Sequence, residues 1–208
     1  MVSPFTSIDK SLPSVVEVLK EGQCALASAL ASYKYLIMYG QIEALMQIIN
    51  ACFRISFSEW CWAVLDSVYP IPIAFSLPNS KAASSLAPSR PTSSLLGLYT
   101  LASALGVLAL HFLFTTLFHQ DWFQCREWDR SDVSDVLVID DNCEAQTLFL
   151  VTSCQYISTA MAYNFGYEWR QSWIRNYVLV TLASVFMAMQ FYITLVPGKM
   201  SCFWRVNC

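Results

Sequence analysis

The chain has 208 residues, of which 56% are hydrophobic and 13% are charged, and its net charge is −3. Soluble domains carry about 25% charged residues, so this composition is that of a membrane protein. The weakly acidic balance argues against a nucleic-acid partner, which would need a basic surface.

The amino-terminal stretch from Met1 to Lys20 is polar and lacks the basic-then-apolar order of a signal peptide. Because crossing the hydrocarbon takes about 20 mostly apolar residues in a helix, the rest of the chain predicts about five spans. They cover residues 33–53, 57–77, 95–118, 147–166 and 177–196. We therefore expect an all-α fold, a polytopic membrane helical bundle of about five transmembrane helices with a helical cytosolic stalk.

Two connecting segments differ in charge. The segment 78–94 contains Lys81 and Arg90 and no acidic residue, which is typical of a short cytosolic loop. The segment 119–146, predicted to be lumenal, has eight acidic residues between Asp121 and Glu144. These acids either gather cations before entry or only keep the loop solvated.

The eight cysteines fall into two groups. Four of them would lie on the lumenal side, where disulfides persist, and the sequence does not choose among their three possible pairings. These are Cys125, Cys143, Cys202 and Cys208. The other four are interpreted as small apolar packing residues. These are Cys24, Cys52, Cys61 and Cys154.

The first predicted span carries a polar stripe. Glu43 lies near its middle, and Gln47 and Asn50 follow at the spacing that places all three on one helix face. An ionisable group at bilayer depth costs about 2.5–3.5 kcal/mol on insertion scales, so it usually faces a cavity or a partner. The stripe predicts either a lining of a cation pathway or a polar contact between helices.

The second predicted span combines an acid with a helix break. Asp66 lies near its middle, and Pro70 and Pro72 follow. Since proline has no amide hydrogen, Pro70 releases the carbonyl of Asp66 from its helical bond. A carboxylate beside released carbonyls predicts a cation site, because such backbone is tolerated where it lines a cavity. The alternative is a side-chain hydrogen bond that only holds helices together.

Three further features lie in the later spans. Gln155 either completes the pathway lining or forms an interhelical hydrogen bond. His111 is expected to be a packed or hydrogen-bonded residue, and neither histidine predicts a metal site. Ala102 and Gly106 form a pair of small residues that would let another helix approach closely.

Several short motifs, taken in order, resemble one family. They are Ser3-Pro4-Phe5-Thr6-Ser7, Glu21-Gly22-Gln23-Cys24-Ala25-Leu26, Tyr33-Lys34-Tyr35, Ser89-Arg90-Pro91, Cys154-Gln155-Tyr156 and the segment from Asn164 to Asn176. This order resembles the carboxy-terminal membrane region of the type 5 P-type ATPases of subgroup B. The resemblance implies that segment 1–32 links to a phosphorylation domain and that 33–208 forms the fifth to ninth membrane helices of a pump.

The same resemblance implies a function. Such pumps move polyamines or related cations across late endosomal, lysosomal or vacuolar membranes, and they hydrolyse ATP with magnesium through an aspartyl-phosphate. Asp66 falls where the family has an acidic cation contact, and the membrane lipid and the missing amino-terminal pump domains would be the partners.

The departures from the family are as informative. The 208 residues lack Asp-Lys-Thr-Gly-Thr, the Thr-Gly-Glu loop and a P-loop, so the chain alone should bind no cofactor and hydrolyse no ATP. We therefore expect a fragment of a cation pump, with a pathway formed by Asp66, Glu43, Gln47, Asn50, Pro70 and Gln155. The alternative is a self-contained small membrane protein, such as a channel, an adaptor or a regulator of a pump.

Overall fold

The computed structural model describes residues 12–53, 57, 59–91, 94, 96–120, 143–165 and 168–195. Across these ranges the chain forms a bundle of helices, and the only strand-like pairing there is a bridge between Ala82 and Arg170. The predicted all-α helical bundle is confirmed.

The longest helix is α1, which runs from Leu12 to Phe53 without interruption. Pro13 lies in its first turn, where the missing amide hydrogen is not needed. Residues 12–32 of the predicted stalk and the first predicted span are therefore one continuous helix of 42 residues. A displacement at one end of such a helix is carried to the other.

The second predicted span is a broken helix. It consists of α2 (Glu59–Ala63), a π-helical turn (Val64–Val68), α3 (Pro70–Ser76) and a final 3₁₀ turn (Leu77–Asn79). The irregularity lies directly before Pro70, in the region where the sequence predicts a break.

Three regular helices complete the bundle. They are α4 (Leu98–Gln120), α5 (Cys143–Asn164) and α6 (Tyr177–Leu195). By length and composition, two helical segments of the described chain are candidate membrane spans, Glu59–Asn79 and Leu98–Leu117. A shorter apolar helix covers Tyr177–Ile193. The division into five spans stays a prediction.

The core lies where α1, the broken helix, α5 and α6 meet. Its largest fully buried side chains include Tyr35, Tyr69, Tyr156, Met38, Leu65 and Leu179. By contrast, α4 exposes most of its apolar side chains and contacts α1 and α5 along one face. In a bilayer, where lipid tails are as apolar as these side chains, close packing and interhelical hydrogen bonds hold the elements together.

Some sequence predictions need correction or fall outside the described residues. Cys24 and Cys61 are buried as expected, but Cys52 and Cys154 are exposed and do not pack in the core. Gly106 has no neighbouring atom within 4 Å of the position a Cβ would take, so no described helix uses the small-residue pair there. The four cysteines predicted to be lumenal and nearly all of the acidic segment 119–146 lie outside the residues whose side chains are described.

Candidate functional site

Four side chains from three elements meet between α1, the π-helical turn and α5. Tyr39 and Glu43 come from α1, Asp66 from the π-helical turn and Tyr156 from α5. We name these four residues the carboxylate–tyrosine cluster.

Each carboxylate of the cluster accepts a hydrogen bond from a phenol. The Tyr39 hydroxyl donates to Asp66 Oδ1 at 3.0 Å, and the Tyr156 hydroxyl donates to Glu43 Oε2 at 2.7 Å. The two phenol rings pack against each other with centroids 5.2 Å apart. The tyrosine pair therefore links the two acids into one continuous contact.

The burial of the cluster is graded. Tyr156 is fully buried, Glu43 is half-buried and Asp66 is exposed on the surface of the described bundle. The two carboxylates are also close enough to interact electrostatically. Like charges at short distance repel, so a cation between them would relieve the repulsion.

The π-helical turn determines where Asp66 lies. The Tyr69 amide donates to the carbonyl of Val64, five residues back, at 3.1 Å. Turns of this kind are uncommon and often occur at functional sites. The turn, followed at once by Pro70, gives the non-regular backbone beside Asp66 that the sequence predicts, whereas the release of its carbonyl stays a prediction.

The other predicted pathway residues are placed differently. Gln47 donates to Glu43 Oε1 at 3.5 Å and is exposed, so it extends the cluster along α1. Asn50 is buried, and its Oδ1 has no hydrogen-bond partner in the described part of the chain. Pro70 is buried directly after the π-helical turn.

Gln155 lies at the interface with α4. Its amide nitrogen donates to the His111 carbonyl and the Thr115 hydroxyl, both at 3.3 Å. His111 itself is buried and its Nε2 lies 3.0 Å from the Thr159 hydroxyl. The structure therefore gives Gln155 the interhelical contact, which was one of its two predicted roles, and places Tyr156 beside Glu43.

Neither tyrosine of the cluster was among the pathway residues predicted from the sequence. Tyr39 lies four residues before Glu43 and so shares its helix face, which is a signal that could have been read. Tyr156 adjoins Gln155, but the rotation of α5 that points Tyr156 at α1 has no counterpart in the sequence pattern.

A second polar region lies at the end of the bundle towards the start of α1. The buried Arg170 donates from Nη1 to Asn164 Oδ1 at 3.2 Å and from Nη2 to the Tyr163 carbonyl at 3.0 Å. Ser80 donates to the same Asn164 oxygen at 3.0 Å. Burial lowers the pKa of the Arg170 guanidinium, because desolvation disfavours the charged form.

Segment 80–91 joins this region to α1. Lys20 donates to the Ser84 carbonyl at 2.7 Å, and the Cys24 thiol donates to the Ser80 carbonyl at 3.4 Å. Burial raises the pKa of the Cys24 thiol. The predicted cytosolic loop is thus an ordered segment packed on the first half of α1, and we name residues 80–91 the packed segment.

Chemically, the carboxylate–tyrosine cluster offers negative charge next to aromatic faces, a combination that binds cations. Among the described residues no group of three or more His, Cys, Asp or Glu side chains gathers in a way that could hold a metal ion.

Comparison with known proteins gives the class of protein. No protein-family model matches the chain. Polyamine-transporting ATPase 13A3 of Homo sapiens is 24% identical over 202 residues, which cover 86% of this chain and 16% of that protein. The chain is therefore homologous to transport ATPases.

Two further relatives narrow the class. Vacuolar cation-transporting ATPase YPK9 of Saccharomyces cerevisiae is 25% identical over 185 residues, covering 86% of this chain and 12% of that protein. Polyamine-transporting ATPase 13A2 of Mus musculus is 25% identical over 209 residues, which cover 95% of this chain and 17% of that protein. These relatives are type 5 P-type ATPases of subgroup B, so the resemblance found in the sequence is confirmed. The chain spans less than a fifth of their length.

Proposed function

We propose that this chain supplies part of the transmembrane pathway of an ATP-driven cation pump and that the carboxylate–tyrosine cluster contacts the cation. The observation that carries the proposal is the meeting of two acids, one from α1 and one from a π-helical turn, through a pair of tyrosines whose rings are in contact at 54°.

The placement of the acids supports a pathway over a purely structural contact. Glu43 and Asp66 are joined through Tyr39 and Tyr156, and two carboxylates in one cluster would repel each other unless a cation lies between them. Asp66 is exposed beside an irregular turn, although an ionisable side chain in a membrane helix costs about 2.5–3.5 kcal/mol on insertion scales. A cation that enters between the acids would offset this cost.

We infer that the cation is a polyamine. An ammonium group is held well by one carboxylate and an aromatic face, whereas calcium requires six or more oxygen ligands. The cluster offers two carboxylates and the partly exposed ring of Tyr39 between them, which suits a chain molecule with several ammonium groups. Two of the relatives compared above carry a polyamine in their names.

ATP hydrolysis is assigned to domains that the 208 residues do not contain. The phosphorylation motif Asp-Lys-Thr-Gly-Thr does not occur in the sequence. We propose that the chain is a fragment of a longer pump, that ATP and magnesium act in the remainder, and that segment 12–32 of α1 links the two parts. A multi-pass location in a late endosomal, lysosomal or vacuolar membrane accords with the name of the yeast relative.

The test is spermine binding by the full 208-residue chain in lipid nanodiscs, measured by calorimetry. Asp66→Asn removes one charge and should raise the Kd about tenfold or more, since a contact to a charged group contributes about 1.5–3 kcal/mol. Glu59→Gln is the matched control, because Glu59 is an exposed acid in the same broken helix outside the cluster. It should leave the Kd unchanged.

Two outcomes would overturn the proposal. Equal effects of Asp66→Asn and Glu59→Gln would show that spermine affinity responds only to net charge. Undetectable spermine binding by the wild-type chain would refute the cation pathway.

The genomic sequence upstream of Met1 tests whether the chain is a fragment. A continuous reading frame with the phosphorylation motif supports a pump, whereas a promoter and untranslated leader support a small self-contained membrane protein.

A further inference from the structure

Tyr69 lies at the junction between the π-helical turn and α3, and its side chain is fully buried. Its amide donates to the Val64 carbonyl at 3.1 Å, and its carbonyl accepts from the Ile73 amide at 3.4 Å. One residue thus closes the π-helical turn on one side and begins the α-helical bonding on the other.

The side chain of Tyr69 is fixed on a different helix. The Gln190 amide nitrogen of α6 donates to the Tyr69 hydroxyl at 2.6 Å. The Phe186 ring, one turn earlier on α6, packs edge-on against the Tyr69 ring with centroids 4.8 Å apart. Gln190 is 3% exposed, and Ser153 of α5 also interacts with the Tyr69 hydroxyl. The junction is therefore held by buried contacts to two helices.

These contacts matter because the backbone alone holds the π-helical turn weakly. Pro70 has no amide hydrogen, so the residue after Tyr69 adds no stabilising bond. Were the turn to revert to α-helical register, Tyr69 would bond to Leu65 instead of Val64. The side chains before the junction would then rotate by about 100° relative to those after it, since one residue occupies that angle in an α-helix.

The rotation would move Asp66 away from α1. Val64 and Leu65 are fully buried on one side of the π-helical turn, and Tyr69 is fully buried on the other. Between these fixed points Asp66 faces Tyr39 and accepts its hydrogen bond at 3.0 Å.

We propose that Tyr69 and Gln190 are positioning residues, whose hydrogen bond keeps the π-helical turn in register and so presents Asp66 to the cation pathway. The link to cation binding rests on the proposed function, whereas the effect on the orientation of Asp66 does not.

The orientation is tested by ¹⁹F NMR of the full chain labelled with 3-fluorotyrosine. Tyr39 reports on Asp66 directly because it donates to that carboxylate, and Tyr39→Phe assigns its signal. Gln190→Met keeps the length of the side chain and removes the donor, so it should shift or split the Tyr39 signal. Ser184→Ala, on α6 where the hydroxyl bonds only to the Val180 carbonyl of its own helix, is the control and should leave that signal in place.

Tyr69→Phe is the second variant and carries the test if Gln190→Met does not fold. An unmoved Tyr39 signal in a folded variant would overturn the positioning role, even if its thermal stability falls, because a merely structural contact predicts a loss of stability alone.

Spermine affinity separates this proposal from the proposed function. Both variants should raise the Kd about three- to tenfold, the range for one hydrogen bond between membrane helices, and the double variant should add little because both remove the same bond. A shifted Tyr39 signal with unchanged spermine affinity would overturn the link between the orientation of Asp66 and cation binding. The contact of Asp66 with the cation would then be decided by the Asp66→Asn variant alone. Absence of spermine binding in the wild type would refute the proposed function, while the Tyr39 signal still decides the orientation.

Discussion

The hydrogen bond between Tyr156 and Glu43 offers a quantitative test of the cluster. Tyr156→Phe removes only the hydroxyl that donates to Glu43 Oε2 at 2.7 Å and leaves the buried ring in place. Glu43 then keeps one described donor, the Gln47 amide at 3.5 Å. The variant therefore isolates the contact between α1 and α5.

The size of the effect follows from the surroundings. A hydrogen bond to a charged group contributes about 1.5–3 kcal/mol in soluble proteins. Measured couplings between membrane helices reach only about 1.7 kcal/mol. Because Glu43 is half-buried and retains its bond to Gln47, we expect a loss at the lower end of the range for soluble proteins, about 1.5 kcal/mol. This value also lies below the maximum measured between membrane helices.

The assay is reversible unfolding of the chain in mixed micelles, followed by tryptophan fluorescence. Tyr156→Phe should lower the free energy of unfolding by about 1.5 kcal/mol, and the double variant with Glu43→Gln should lose about 1 kcal/mol less than the sum of the two single variants. Tyr192→Phe is the control, since Tyr192 is exposed on α6, and it should change the free energy by less than about 0.5 kcal/mol. Additive losses, or a Tyr156→Phe variant as stable as the control, would show that the two side chains are not coupled.

Four further predictions concern the whole chain, Cys24 and Arg170. The purified 208-residue chain should release no phosphate from Mg-ATP, and magnesium-dependent release above a mock preparation would contradict this. Cys24 should react with a maleimide at least about tenfold more slowly at pH 8 in the native chain than in the unfolded one, because only the thiolate reacts and burial raises the pKa of this thiol. Because of the same raised pKa, the folded state should lose stability as pH rises above about 8.5, where the unfolded thiol ionises. The free energy of unfolding of a Cys24→Ala variant should not show this loss. Arg170→Met should lower the free energy of unfolding by about 2 kcal/mol through loss of two buried hydrogen bonds, whereas exposed Arg175→Met should not, and equal unfolding curves would refute the role of Arg170.

The helices and the polar face of α1 were predictable from the sequence, because both depend on the spacing of residues along one element. The break before Pro70 was predictable for the same local reason. The presence of Glu43 and Asp66 in one cluster follows from their similar positions in two consecutive helical segments.

The partner of Glu43 on α5 was not predictable from spacing. Gln155 and Tyr156 are neighbours on α5, and the direction in which each points is set by the rotation of α5 against α1 and α4. That rotation depends on packing with both helices at once. The bridge between Ala82 and Arg170 is equally non-local and is not indicated by the spacing of residues along one element.

The contacts of α1 limit how the proposed pump could move. The stretch 59–91 touches α1 at two separate levels, through Asp66 with Tyr39 and through Ser80 with Cys24. Fifteen residues along α1 separate these contacts, about 22 Å at 1.5 Å per residue. A slide of α1 along its axis by one turn, about 5.4 Å, would break both hydrogen bonds at once unless the broken helix moved with it.

The two levels respond differently to such a movement. The packed segment is held on its other side by the bridge to Arg170 and by the Trp169 ring nitrogen, which donates to the Ser89 carbonyl at 3.0 Å. The π-helical turn has fewer backbone bonds, since Pro70 removes one donor, but a change of its register would also break the buried hydrogen bond between Gln190 and Tyr69. If the packed segment holds against a pull on α1, we therefore expect Asp66 to change orientation only when the bond between Gln190 and Tyr69 is broken as well.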